Sequence, residues 1–207
     1  MISAAPSRWP RREPRVDRPE WKVSTLTGRL TELSSPGGAA GLTLAFSLVL
    51  DAQGDGELVG WLTARESSFY PPDVAAGGID LEALVVVRLP TSRQIPRAAE
   101  HLARSGAFGL LVLDLAHSAH VPVPMQMRLL ALAQKHRTAV LCLTRKAHDA
   151  PSLGSLVSLR AEALREQADA SENGGSRFVC TARILKDKRR GPGWTHTEVC
   201  RGPDGLC

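Results

Sequence analysis

A glycine-rich stretch at residues 36–43 has the spacing of a loop that binds nucleotide phosphates. Such loops follow the pattern G-x-x-x-x-G-K-[ST], in which backbone N–H groups surround the phosphates, the lysine reaches the β- and γ-phosphate oxygens, and the hydroxyl binds Mg²⁺. The chain reads Pro36-Gly37-Gly38-Ala39-Ala40-Gly41-Leu42-Thr43. Thr43 stands where the hydroxyl belongs and Gly41 keeps the second glycine. Pro36 replaces the first glycine, and Leu42 replaces the lysine.

Leu42 is the replacement with the larger chemical consequence. Phosphoryl transfer depends on positioning and on stabilising negative charge, and an apolar side chain offers no cation. We therefore predict a chain that is not an enzyme and that holds no ATP or Mg²⁺ as cofactor. A plain strand–turn–helix joint remains one alternative, with only weak anion attraction at the helix start. A working ATPase that takes its lysine from elsewhere, such as Lys186 or Lys188, is another.

Asp114 is the candidate acid of the same site. It ends an uninterrupted apolar run over residues 109–113, the position of a carboxylate that organises Mg²⁺ in phosphate-loop proteins. A strand-end aspartate also commonly caps the turn that follows it. Both interpretations of Asp114 stay open at this stage.

The densest positive cluster lies near the end of the chain. Lys186, Lys188, Arg189 and Arg190 are followed by a Gly-Pro-Gly turn and by Trp194. Such a cluster can bind a phosphate backbone or an acidic protein face, and a tryptophan beside it can stack on a base or anchor an interface. A solvated hairpin tip is the alternative. The net charge of +5 favours a nucleic-acid or acidic partner without requiring one.

Short apolar runs that alternate with helical periodicity must position these residues. This alternation, followed by a run of strands, predicts an α/β fold with a mostly parallel sheet and antiparallel strands added at one edge. Predicted strands cover residues 28–33, 57–63, 84–87, 109–114, 138–144, 155–161, 177–185 and 195–200, and predicted helices cover 42–53, 96–105 and 125–136. The charged stretch 162–173 is predicted to be a mobile connection. Cys142 and Cys180 fall in apolar runs and are predicted to be buried, reduced thiols, and no histidine or cysteine spacing predicts a metal site.

Two parts of the chain differ in composition. Residues 1–24 are rich in arginine and proline and are predicted to form a flexible basic arm, whereas residues 25–207 form one core domain. Trp9 and Trp21 in the arm either belong to a disordered leader or dock on a partner. We identify no signal peptide and no run of about 20 apolar residues that could span a membrane, so we expect a cytoplasmic protein.

The order and spacing of these segments resemble RecA. The resemblance is carried by residues 28–33, 103–107, the strand that ends at Asp114, and residues 158–160 and 177–190. The chain departs from RecA in its phosphate loop and in two DNA-binding loops, which are reduced to residues 117–121 and 145–151. A RecA-like domain with these losses is similar to the ImuA family, RecA-related accessory proteins of bacterial mutasomes, and also resembles SulA.

The resemblance implies both a fold and a role. The fold would be a RecA-like, mostly parallel twisted sheet flanked by helices. The role would be that of a non-catalytic accessory protein in damage-induced translesion synthesis, with RecA and ImuB, an inactive Y-family polymerase relative, as partners. DNA contact through the basic segment is a further candidate, since the matching lysines of RecA reach the neighbouring subunit's nucleotide. A SulA-like inhibitor of cell division is the alternative.

Overall fold

One eight-stranded sheet organises the chain, in a computed structural model that describes residues 19–37, 39–65, 75, 77–115, 120–167 and 177–201. The strand order is β3-β2-β4-β5-β1-β6-β7-β8. Neighbours from β3 through β6 are parallel, and β7 and β8 add antiparallel at one edge, which confirms the predicted fold class. The strands are β1 (Leu30–Ser34), β2 (Leu58–Ala64), β3 (Leu84–Leu89), β4 (Phe108–Asp114), β5 (Ala139–Thr144), β6 (Leu159–Gln167), β7 (Arg177–Asp187) and β8 (Thr195–Arg201).

The helices cover the two faces of the sheet. They are α1 (Val23–Leu26), α2 (Ala39–Gly54), α3 (Ile95–Ser105) and α4 (Val123–His136). One core lies between the sheet and α2, where Phe46 stacks on Trp61 at a ring distance of 4.9 Å. The other lies between the sheet and α3 and α4. Because both faces are covered, β4 and β5 are almost entirely apolar rather than alternating. None of the helices in the described ranges is long and apolar enough to cross a lipid bilayer.

The predicted ends of β6 were wrong in both directions. The strand begins at Leu159 rather than at residue 155, and it continues to Gln167 through the stretch predicted as a mobile connection. Residues 168–173 of that connection lie outside the described residues. The charged composition of this stretch led to the prediction of a loop. In the structure Glu162 is buried in β6 and forms an ion pair with Arg183 on the neighbouring strand β7, so this charged residue belongs to the sheet.

Residues 19–24, which the composition assigned to the arm, pack on the core. Trp21 is buried, and its indole Nε1–H donates to Leu44 O at 3.0 Å. The backbone N–H of Val23 donates to Asp51 Oδ2 at 2.8 Å. Trp21 therefore anchors the start of the domain on α2 and is not exposed to a partner. Trp9 and the rest of residues 1–18 lie outside the described residues.

Gly106 provides a direct test of the packing between α3 and α4. It ends α3 with φ +68°, and a Cβ added there would lie 2.5 Å from His136 Nδ1. Gly56 has φ +76° but no atom within 4 Å of such a Cβ. Gly56→Ala should cost about 1–2 kcal/mol for its backbone alone, and Gly106→Ala should cost clearly more because the ring must move. Urea unfolding measures both, and equal losses would contradict the close packing on His136.

Candidate functional site

The strand–loop–helix joint predicted at the phosphate loop is present. β1 ends at Ser34 and α2 begins at Ala39, with Gly38 between them outside the described residues. Gly41 lies in the first turn of α2, where an added Cβ would be 3.2 Å from the Cβ of Ser35. The start of the helix thus lies close against the end of the strand.

The side chains of Leu42 and Thr43 both make contacts within the chain. Leu42 is half-buried and packs against the core on the α2 side of the sheet. The hydroxyl of Thr43 donates to Ala39 O at 3.2 Å, a bond within the helix. Residues 35–43 contain no lysine or arginine. Residues 35–43 therefore supply no positively charged side chain, and the absence of ATP and Mg²⁺ binding stays a prediction.

Asp114 lies at the carboxyl ends of the parallel strands, as this loop does. It pairs with Leu143 of β5, which in turn pairs with Leu33 of β1. Two strand spacings separate Asp114 from β1, which amounts to roughly 10 Å. Its Oδ2 accepts a hydrogen bond from the hydroxyl of Thr63 on β2 at 3.0 Å. The placement is that of an acid beside a phosphate loop, and its role in binding Mg²⁺ remains a prediction.

A buried carboxylate that sequence reasoning missed lies in the middle of β1. Glu32 is fully buried on the α4 side of the sheet. Its Oε1 accepts from Thr144 Oγ1 at 3.1 Å and from Lys146 Nζ at 3.1 Å. Its Oε2 accepts from Ser152 Oγ at 3.0 Å and from the Leu153 N–H at 2.8 Å. An acidic residue between Leu30 and Leu33 in a buried strand was the signal for this site, because a buried charge requires partners.

The partners of Glu32 belong largely to the segment between β5 and β6, at residues 145–158. Arg160 on β6, whose Nε lies 4.0 Å from Glu32 Oε2, donates from its guanidinium to the carbonyls of Ala147 and Ala150. The segment includes residues 145–151, which the resemblance matched to a shortened DNA-binding loop. In this chain the segment is held to the sheet by one buried acid and one buried base.

A second buried ion pair supports the basic hairpin between β7 and β8. Arg29, 1% exposed, donates to Asp187 Oδ1 at 2.5 Å and to the backbone carbonyl of Ser158 at 2.9 Å. Asp187 also accepts from the backbone N–H of Arg189 at 2.9 Å and from Trp194 Nε1 at 3.3 Å. One buried carboxylate thus connects the start of β1 to both sides of the hairpin. We call residues 186–194 the basic hairpin.

The predicted contact residues differ in their exposure. Trp194 is half-buried and packs on the core, which anchors the basic hairpin, and its role as a contact residue stays a prediction. Lys186 is half-buried, and burial together with the neighbouring Lys188 lowers its pKa. Lys188, Arg189 and Arg190 are exposed, and Lys188 Nζ donates to Ser155 O at 2.6 Å. The surface of the basic hairpin therefore carries three exposed cations.

The basic hairpin and the phosphate-type loop lie at opposite ends of strand β1. The N–H of Lys188 donates to Ser158 O, at the level of Leu30, whereas the loop begins after Ser34. Four residues of β1, roughly 13 Å, separate these levels. Lys186 pairs with Arg160, opposite Glu32. The fold does not bring Lys188 to the loop of the same chain, so the two predicted groups of site residues form separate surfaces.

Comparison with known proteins finds similarity to RecA proteins of several bacteria. The chain is 32% identical to "Protein RecA" of Thermus aquaticus over 126 residues, which is 55% of this chain and 36% of the relative. It is 32% identical over 129 residues to RecA of Salinispora tropica, with coverage of 56% and 36%. It is 34% identical over 87 residues to RecA of Clostridioides difficile, with coverage of 42% and 25%.

These similarities are partial. The matched regions span between a quarter and about a third of the length of these relatives. No protein-family model matches the chain. The mostly parallel sheet, with its antiparallel strands at one edge, is consistent with the fold of these relatives. Fold and sequence similarity together place the chain in a RecA-like relationship.

Proposed function

We propose that this chain is a non-catalytic RecA-like accessory protein of damage-induced translesion synthesis. It acts by binding RecA, an ImuB-like inactive polymerase relative, or both, and it modulates RecA activity. The observation that carries this proposal is Leu42, packed on the core at the position where a phosphate loop needs a cation. ATP and Mg²⁺ have no place in the proposed role.

A triphosphate carries several negative charges, and in known phosphate-loop proteins a lysine and Mg²⁺ offset them during phosphoryl transfer. Removing a single stabilising donor from an active site commonly costs about 10²–10³ in rate. Here the lysine is absent, and Thr43 donates its hydroxyl to the helix backbone. Backbone N–H groups alone attract an anion only weakly, so turnover is lost.

In the proposed mechanism the chain is similar enough to RecA to join it but does not turn over nucleotide. A RecA-like subunit that joins RecA but cannot cycle nucleotide occupies the end of a filament and does not support its extension. The ordered segment 145–158, bonded to Glu32 and Arg160, supports the same role because it leaves little chain free to wrap a DNA strand. The protein would thus act as a brake on RecA while a translesion polymerase complex assembles.

The nucleotide half of the proposal is tested with three purified forms of the chain. Wild type and Leu42→Met should show neither saturable Mg²⁺-ATP binding in calorimetry nor ATP hydrolysis. Leu42→Lys should bind Mg²⁺-ATP measurably, because it restores the cation while Leu42→Met keeps an apolar side chain of similar volume. Hydrolysis by all three forms alike would overturn the proposal and favour an ATPase with an unusual phosphate site.

The binding half is tested with RecA itself. Assembly of RecA on single-stranded DNA, followed by light scattering and by its DNA-dependent ATPase, should slow when the chain is added at a small fraction of the RecA concentration. Capture experiments with immobilised chain should retain RecA or the ImuB-like protein and not the cell-division GTPase. Retention of the GTPase alone would favour a SulA-like inhibitor instead.

A further inference from the structure

Helix α4 exposes a row of apolar side chains. Val123 is 57% and Met127 is 59% exposed; among the large apolar residues described, only Val199 on β8 is more exposed. They are four residues apart, and Leu130 and Ala131 continue the row by one turn. Residues four apart lie on one face of a helix. We call Val123, Met127, Leu130 and Ala131 the α4 stripe.

The α4 stripe lies on the side of the helix turned away from α3. Arg128, on the other side, lies 3.5 Å from Glu100 of α3. On the stripe side, Gln126 Nε2 donates to Leu153 O at 3.1 Å. A Cβ on Gly154 would lie 2.5 Å from Gln126 Oε1. The segment at residues 153–154 therefore lies beside the first turns of α4, next to the stripe.

The basic hairpin lies beside the other end of α4. A Cβ added to Gly28 would lie 3.8 Å from Gln134 Cα and 4.0 Å from Arg189 Nη2, so the last turn of the helix and this guanidinium flank the same point. Lys188, next to Arg189 in the hairpin, bonds to Ser155 O and so connects the hairpin to the segment at residues 153–155. Residues 153–155 therefore run beside the α4 stripe, and this border ends in two exposed cations, Lys188 and Arg189.

We propose that the α4 stripe and the cations Lys188 and Arg189 form a docking surface for an acidic amphipathic helix of a partner protein. This extends the proposed function and rests on it only in that the chain acts by binding another protein. A helix fits because rows of side chains four residues apart pack against similar rows on a second helix. An extended peptide would need unpaired backbone groups, and the backbone of α4 bonds within the helix.

Charge selects the same partner. Helix α4 contains no aspartate or glutamate and exposes Arg128 and Lys135. The hairpin exposes three further cations, Lys188, Arg189 and Arg190. A second copy of this chain would supply little negative charge through its described long helices, since α2 contains only Asp51 and α3 only Glu100. A nucleic-acid backbone would satisfy the cations but would gain nothing from burying Val123 and Met127, because apolar side chains do not bind phosphate.

The test uses a fluorescein-labelled helical peptide of about 18 residues, with leucines in the i, i+4, i+7 pattern and glutamates along one border. Two comparison peptides carry lysines in place of the glutamates, or the same residues in scrambled order. Fluorescence anisotropy measures their binding to the full chain. The acidic peptide should bind at least about tenfold more tightly than either comparison peptide, as expected when apolar and charged contacts act together.

Variants of the chain locate the surface. Met127→Lys and the double variant Lys188→Glu with Arg189→Glu should each weaken binding of the acidic peptide by at least about tenfold. Val199→Lys, at a still more exposed apolar position on β8, should not change it. All these positions are exposed, and circular dichroism confirms that each variant is folded.

Three outcomes would overturn the proposal. The first is equal binding of the acidic and lysine peptides, and the second is equal binding of the acidic peptide by Met127→Lys and wild type. The third is that the hairpin double variant loses binding of a labelled oligonucleotide but keeps binding of the acidic peptide. The last would assign the surface to nucleic acid. None of them bears on ATP binding or on the RecA assembly assay, so failure here and failure of the proposed function are distinguishable.

Discussion

Replacing Asp187 by alanine should destabilise the protein by about 3–5 kcal/mol, since it leaves a buried arginine without its counter-charge. Arg29 is 1% exposed, and its guanidinium donates to Asp187 at 2.5 Å. The same carboxylate holds the Arg189 N–H and the Trp194 indole, so the base of the basic hairpin should loosen as well. Urea unfolding followed by tryptophan fluorescence and far-ultraviolet dichroism measures the loss.

A double variant separates the pair from the fold around it. In Arg29→Met with Asp187→Ala neither charge of the pair remains, and the destabilisation should be clearly smaller than the sum of the two single losses. Arg29→Met alone should cost about as much as Asp187→Ala. If the double variant is as unstable as that sum, the contribution of Asp187 comes from the hairpin bonds and not from its pairing with Arg29.

The stability contributed by Asp187 should also depend on pH. Burial by itself raises the pKa of this carboxyl, but hydrogen bonds from Arg29 and from the Arg189 N–H lower it more, so its pKa in the folded protein lies below the usual 3.8. A lowered carboxyl pKa stabilises the fold above the unfolded-state pKa, and this contribution is lost as the pH falls through the folded-state pKa. The stability difference between wild type and Asp187→Asn should therefore be constant near neutral pH and shrink below about pH 4.

Glu32→Gln should have an effect of similar size, about 3–5 kcal/mol, because it leaves the buried Arg160 without its counter-charge. The amide keeps the shape of Glu32 but cannot accept at both ends, so the bonds from Lys146 and from the Leu153 N–H cannot both be retained. Urea unfolding measures the global loss. Amide hydrogen exchange should show faster exchange at Leu153, which reports the release of the segment at residues 145–158.

Lys146→Met is the matched control for Glu32. Its side chain is 20% exposed, so solvent screens its charge, and its removal should cost less than the loss of Glu32. If Glu32→Gln leaves both the unfolding midpoint and the Leu153 exchange unchanged, the carboxylate does not hold the segment, and another interaction must be found to explain its order.

Local pattern was sufficient to predict much of the architecture. Apolar runs and helical spacing depend on near neighbours, so most strands, the three long helices and the burial of Cys142 and Cys180 could be predicted. The phosphate loop could be assessed for the same reason. Its residues are adjacent in the chain, and the chemistry requires a cation at the position of Leu42.

Only the tertiary structure decided which charges meet. Arg29 and Asp187 are 158 residues apart in the chain, and Glu32 and Leu153 are 121 apart, so no local pattern predicts that they pair. The same holds for Trp21, which appeared exposed in a proline-rich arm and is buried on α2. A charge or a ring in the sequence states what a residue can do. Which partner it finds depends on how distant strands come together in the sheet.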